Sequence, residues 1–186
     1  THLYYTKDLI ADKINETDLY FGIYKSLNTF SNEDTGFNKL CSLYTNYIYS
    51  YDKIYIWKYS DKSLTRGSDY HFKGIEGFCY NMCWAVDEYL KNNEANRNVG
   101  EIVFSTMLEV YYRYVYYRDR KDSKKIFKWA NPLKKLYLEY IDLLDDITKT
   151  NLITRVWVDL LFTIGTVDIV LNNNLSFNEF VNMIED

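Results

Sequence analysis

The sequence predicts an all-α fold, a single-domain bundle of about seven helices over residues 1–186. Three observations predict it. Apolar residues recur at the helical period along nearly the whole chain. Two segments, near 100–118 and 152–171, are apolar on all but a narrow strip, the pattern of helices surrounded by protein. Near the end, Ser176-Phe177-Asn178-Glu179 has the form of a capping box. At 186 residues one domain is the natural count. No internal repeat and no dividing linker is visible.

The elements follow in order. Leu9, Ile10, Ile14, Thr17, Tyr20, Tyr24 and Leu27 form a first stripe, either one helix or two broken near Asn15. A second helix is expected from about Phe37, with Asp34 or Thr35 as its N-cap and Leu40, Leu43, Tyr44, Tyr47, Ile48 and Tyr51 on one face. Tyr47 to Tyr59 also alternates as a strand would. The pair Asp52-Lys53 lacks the Gly that a two-residue hairpin turn prefers, which favours helix. Ser60 to Tyr70 reads as a loop.

Ile75, Cys79, Met82, Cys83, Val86 and Leu90 mark the third helix, and Lys91 to Asn98 an Asn-rich connection. The fourth helix, central, has Glu101, Ser105, Glu109 and Arg113 as a single i, i+4 polar strip, nearly everything else being apolar. Pro132 suits the first turn of a fifth helix, where its missing N–H costs nothing. Leu133, Leu136, Tyr137, Tyr140, Ile141, Leu144 and Ile147 are its apolar face. The sixth helix, from about Leu152, has Arg155, Asp159 and Thr163 as its wet strip. The seventh follows the capping box, with Leu175 and Phe180 as a hydrophobic staple.

Composition narrows the function classes. Net charge is −4, with pI about 5.3. Nucleic-acid binders usually carry a basic stripe. The one dense basic stretch, Arg118 to Lys128, is interrupted by Asp119 and Asp122 and reads as a solvated connection, so no nucleic-acid partner is expected. The longest apolar run, Val156 to Leu171, falls short of the ~20 residues a bilayer demands, so no membrane span is expected. Three cysteines do not make a disulfide framework. Cys79 and Cys83, four apart on a helix, hold their Cβ atoms roughly 5–6 Å apart against about 3.8 Å in a disulfide. Abundant Asn, Ile, Lys and Tyr beside one Pro and seven Gly point to an AT-rich genome, as in a pathogen or a virus. The chain opens on Thr1 without Met and shows no signal peptide, which leaves a processed leader open. Organism, compartment, oligomeric state and partner identity stay open.

Arg66-Gly67-Ser68-Asp69-Tyr70-His71 resembles the Arg/His motif of HEPN ribonucleases, which are helical bundles. The resemblance implies Arg66 stabilising phosphate charge and His71 moving a proton at the 2′-OH, without metal. Gly67 stands where that family usually has a polar residue. Asp168 to Glu179 has the length of an EF-hand loop. Val170 falls where an oxygen ligand belongs, and Asn173 replaces the turn glycine. His71, Cys79 and Cys83 are too few for structural zinc. Asp142, Asp145 and Asp146 read as a solvated helix face. No metal and no cofactor is expected, and no phosphate loop, dinucleotide fingerprint or nucleophile elbow is present.

Asn98-Val99-Gly100-Glu101-Ile102-Val103-Phe104 resembles the first homology motif of the Bcl-2 family, with Trp157 and Leu160 to Phe162 about where a second would lie. The resemblance implies a groove that binds partner helices. Glu101 stands where the family has Arg, and Val99 where it has Trp. A fainter similarity to variant surface proteins of malaria parasites lies between Phe78 and Leu90. Tyr111, Tyr112, Tyr114, Tyr116 and Tyr117 circle one helix end, and Tyr is enriched at interfaces. The expectation is a non-enzymatic module that recognises another protein through Tyr112, Tyr116 and Tyr117. A HEPN-like ribonuclease using Arg66 and His71 is the alternative.

Overall fold

The computed structural model describes residues 33–44, 70–164 and 176–185. Among these residues the fold is all-helical: α1 (Glu33–Tyr44), α2 (Tyr70–Leu90), α3 (Arg97–Tyr117), α4 (Lys125–Tyr140), a single 3-10 turn (Ile141–Leu143), α5 (Asp146–Ile164) and α6 (Phe177–Met183). The first stripe, the Tyr47 to Tyr59 segment and the Ser60 to Asp69 loop lie outside the described residues, so the count of about seven is neither reached nor refused.

Helix α3 is the axis of the bundle. Val99, Val103, Met107, Leu108 and Val110 are all but inaccessible to water, and α2, α4, α5 and α6 each pack on α3. Its start is fixed by Asn96, whose side chain accepts from the N–H groups of Asn98 and Val99. The preceding Asn-rich connection is tied down as well. Asn96 donates to the Tyr89 hydroxyl at 2.8 Å, and Asn93 donates to the Tyr89 carbonyl.

Three helix starts differ from the expectation. Helix α1 starts at Glu33, so Asp34 and Thr35 lie inside its first turn rather than at an N-cap. It crosses α2 at Gly36, where an added Cβ would stand 2.9 Å from Asn81 Cβ. Helix α4 starts at Lys125, well before Pro132, which becomes an interior residue. An interior proline costs roughly 3 kcal/mol through its lost bond and ring clash. Ile126, Ala130 and Leu133, each fully buried, offset that cost. Pro132 itself faces solvent. The stretch read as a solvated connection is therefore part helix.

Helix α5 starts at Asp146 instead of Leu152 because Asp145 caps it, its carboxylate accepting from the Thr148 N–H at 2.6 Å. The 3-10 turn ahead of that cap breaks the α4 stripe. Leu144 stays buried, but Ile147 emerges 75% exposed. Helix α3 is central, as its narrow polar strip predicts; α5, the other helix expected to be central, has side chains described only as far as Asp159. Through Asp159, the last side chain described there, α5 buries only Thr148, Leu152 and Val156, while Ile153 and Val158 meet solvent.

The capping box forms as expected. The Ser176 N–H donates to the Glu179 carboxylate at 2.6 Å, and the Glu179 N–H donates to Ser176 Oγ at 3.2 Å. The other half of the predicted staple, Leu175, lies outside the described residues. The bonds from Ser176 hold the Glu179 carboxyl below its ordinary value. A depressed carboxyl contributes stability above its unfolded pKa and loses it as pH falls through the folded one. Wild type should therefore exceed Glu179→Gln in urea stability near neutral pH, since Gln keeps an acceptor but no charge at the helix start. The gap should close as pH falls through the lowered Glu179 pKa, and a gap constant with pH would refute this assignment.

Candidate functional site

The Tyr-rich end of α3 was the candidate partner surface, and the structure sorts its residues. Tyr111 is buried, its ring between those of Phe177 and Phe180 at 5.6 and 5.4 Å. Tyr112 is buried beside it, ring centroids 5.2 Å apart, and burial raises the Tyr112 phenol above its ordinary value. Tyr112 belongs to the interior and offers little to a surface. Tyr117 is half-buried and meets Phe72 edge-on at 5.3 Å. Tyr116 alone of the three is exposed, at 41%.

Tyr116 is not left to wander. Its ring stands edge-on to Tyr117 at 4.7 Å. Behind Tyr117, Phe72 is fully buried and packs on Trp129 of α4 at 5.3 Å. The Arg120 guanidinium lies over the Phe72 ring at 4.1 Å, and Arg120 Nε also donates to Asp122 at 3.0 Å. That bond, chiefly, holds the Asp122 carboxyl below its ordinary value. Lys125 reaches the other Asp122 oxygen at 3.5 Å. Ser123 Oγ donates to the Arg118 carbonyl, and the Ser123 N–H to that of Arg120, closing the turn between α3 and α4. An exposed aromatic ring thus rests on Tyr117 at the end of α3, just ahead of a cationic turn.

The other candidates resolve as follows. Arg66 lies outside the described residues. His71 is placed in the first turn of α2, with its side chain outside the description. The pair is neither assembled nor separated. Of the EF-hand candidates, Asp168, Asn172 and Asn174 lie outside the described residues, while Ser176 and Glu179 are engaged with each other in the capping box. Cys79 is buried and Cys83 half-buried, both free. Burial pushes both thiols up, Cys83 to about 12, so neither is a ready thiolate. Asp145 caps α5, Asp146 pairs with Lys149 at 3.7 Å and Asp142 is exposed. Among the described residues no three His, Cys, Asp or Glu side chains stand close enough to hold a metal. No described helix is long and apolar enough to cross a membrane.

Gly100, the hinge of the Bcl-2 resemblance, does not open onto a groove. An added Cβ there would lie 3.1 Å from both Leu144 Cγ and the Tyr140 carbonyl oxygen. The end of α4 fills the position. Glu101 pairs with Arg97 at 2.9 Å, and Arg97 also donates to the buried Thr148 hydroxyl. Leu160, Leu161 and Phe162 have no described side chains, and Trp157 is half-buried on α5.

The wet strips of α3 and α5 run into one charged cluster. Glu109 meets Arg113 at 3.6 Å, and Arg113 lies over the Phe78 ring at 4.6 Å. Burial raises the Glu109 carboxyl, Arg113, Lys39 and Arg155 pull it back, and Asp159 adds to the rise. Charges of both signs offset one another there. Sequence reasoning missed the support behind Tyr116, because Phe72 and Trp129 are 57 positions apart and only the packing of α2 on α4 joins them. No protein-family model, no curated protein and no solved structure matches the chain.

Proposed function

We propose that the chain is a non-enzymatic helical module that recognises another protein, and that the corner between α3 and α4 is its contact surface. One observation carries the reading: an exposed Tyr116 set edge-on against Tyr117, whose own ring meets Phe72 with Trp129 and Arg120 packed on it, just ahead of Arg118 in the sequence. Tyr and Arg dominate the energetically important positions of interfaces. A ring ordered before binding loses little entropy on contact, so more of its burial appears as affinity. The surface beside Gly100 is not used in this proposal, because the α4 end already occupies it. The AT-rich codon signature makes a pathogen or virus the source we favour, and a host protein the partner.

Affinity capture with the whole chain, wild type beside Tyr116→Ala, tests the reading. Captured proteins should include one whose direct binding to purified chain weakens about thirty-fold in the variant, the equivalent of ~2 kcal/mol. Circular dichroism should show the two equally helical, since Tyr116 is largely outside the core. A captured set that binds both forms with equal Kd would remove Tyr116 from the site.

A further inference from the structure

We propose that the exposed face of α4 is a docking strip for an acidic segment of a partner protein. The inference rests on the recognition role just described and names the partner's chemistry. From Ser123 to Leu138 the chain has five lysines and no Asp or Glu, within a protein of net charge −4. Lys134 is turned aside, donating to the Ile184 carbonyl at 2.6 Å. Lys124, Lys125, Lys128 and Lys135 are exposed, and Lys121 in the preceding turn joins them. At the helical repeat Lys124, Lys125, Lys128 and Lys135 fall within about a third of the helix circumference, along about 16 Å of its length.

This arrangement costs the isolated chain stability. Lys124, at the N-cap, and Lys128 stand four apart, where like charges on a helix repel by a few tenths of a kcal/mol. Three of the lysines also crowd the start of α4, which has no acidic residue in its first turn and no side-chain cap, so they oppose the helix dipole. Lys125 has Asp122 for relief. Among the described residues no carboxylate pairs with Lys121, Lys124, Lys128 or Lys135. An anionic partner would relieve every one of these repulsions.

The charge around the strip selects a protein over a polymer. With the five lysines set aside, the remainder of the −4 chain carries −9. Asp119 is 97% exposed at one end of the strip, and exposed Glu139 and Asp142 follow at the other. A nucleic acid brings a charge every ~1.7 Å along its whole length and meets that acidic surround. An acidic helix with carboxylates at i, i+3, i+4 and i+7 has the strip's own period and stops within its length.

The test uses the full chain and defined probes, read by fluorescence anisotropy. They are a labelled 18-residue Glu/Ala helical peptide, the same peptide with Gln for Glu, a 20-nucleotide oligo-dT, and vesicles of phosphatidylserine in phosphatidylcholine. The Glu peptide should bind, more weakly as salt rises, and the Gln peptide should not. The double variant K124E/K128E should lose at least about ten-fold in affinity. Its neutral counterpart K124Q/K128Q should fall between, and Lys149→Glu, on α5, should match wild type. Glu-peptide binding that survives Tyr116→Ala but not K124E/K128E supports the strip even where the Tyr116 prediction fails. Equal binding by K124E/K128E, no binding of the Glu peptide at low salt, or tighter strip-dependent binding of oligo-dT or vesicles would each overturn the proposal.

Discussion

Phe180→Ala should lower the unfolding free energy by about 3–5 kcal/mol, the range for truncating a fully buried aromatic. Phe180 has no accessible surface. Its ring lies 5.4 Å from Tyr111, 5.4 Å from Tyr114 and 5.9 Å from Phe127. Helix α6 is only seven residues long, too short to hold together without tertiary contacts. Its position depends on this ring, on Phe177 against Phe104 and Tyr137, and on the bond from Lys134 to Ile184. For a chain of this size the melting temperature should fall by roughly 10 °C. Hydrogen exchange should show the α6 amides losing protection first, while Val103 to Leu108 keep theirs until global unfolding. Phe177→Ala, at a half-buried position, should cost less. A shift under about 2 °C for Phe180→Ala would mean that α6 adds little to the fold.

That aromatic pocket shows how far the sequence could be read. The helical stripes were legible because burial on one face leaves a 3.6-residue period whatever the helices pack against. The capping box was legible because its two residues lie three apart and act on each other. Phe180 was assigned to a staple with Leu175, whereas its described neighbours are Tyr111, Tyr114 and Phe127 on two other helices. No local pattern encodes that meeting. It also accounts for part of the Tyr excess: Tyr111 and Tyr114 circle the helix because one side faces α6 and the α4 start. The candidate site was half legible. Tyr116 carries no local mark that separates it from Tyr112, since both sit in an unbroken aromatic run. The lysine face of α4 left a clear signal, four exposed lysines at helical spacing with no acid among them. Pro132 masks it, because proline favours a first helical turn and this helix begins seven residues earlier.

Gly100→Ala should destabilise the chain by about 1–3 kcal/mol, although Ala is the better helix former. In an unobstructed helix interior this exchange gains roughly 0.5–1 kcal/mol. At Gly100 the new methyl would lie 3.1 Å from Leu144 Cγ, 3.2 Å from Leu144 Cδ2 and 3.1 Å from the Tyr140 carbonyl oxygen. The Leu144 side chain is buried and cannot swing out cheaply. The carbonyl is backbone, at the junction of α4 and the 3-10 turn. Crowding by atoms of this kind therefore outweighs the propensity gain, and the sign of the effect reports the contact. Leu144→Ala alone should cost about 2–5 kcal/mol as a buried truncation. Together the two substitutions should cost less than the sum of the singles, because the smaller side chain makes room for the methyl. Urea denaturation of the four proteins gives the coupling directly. A strictly additive cycle, or a stabilised Gly100→Ala, would place open space beside Gly100 and return that surface to consideration as a partner groove.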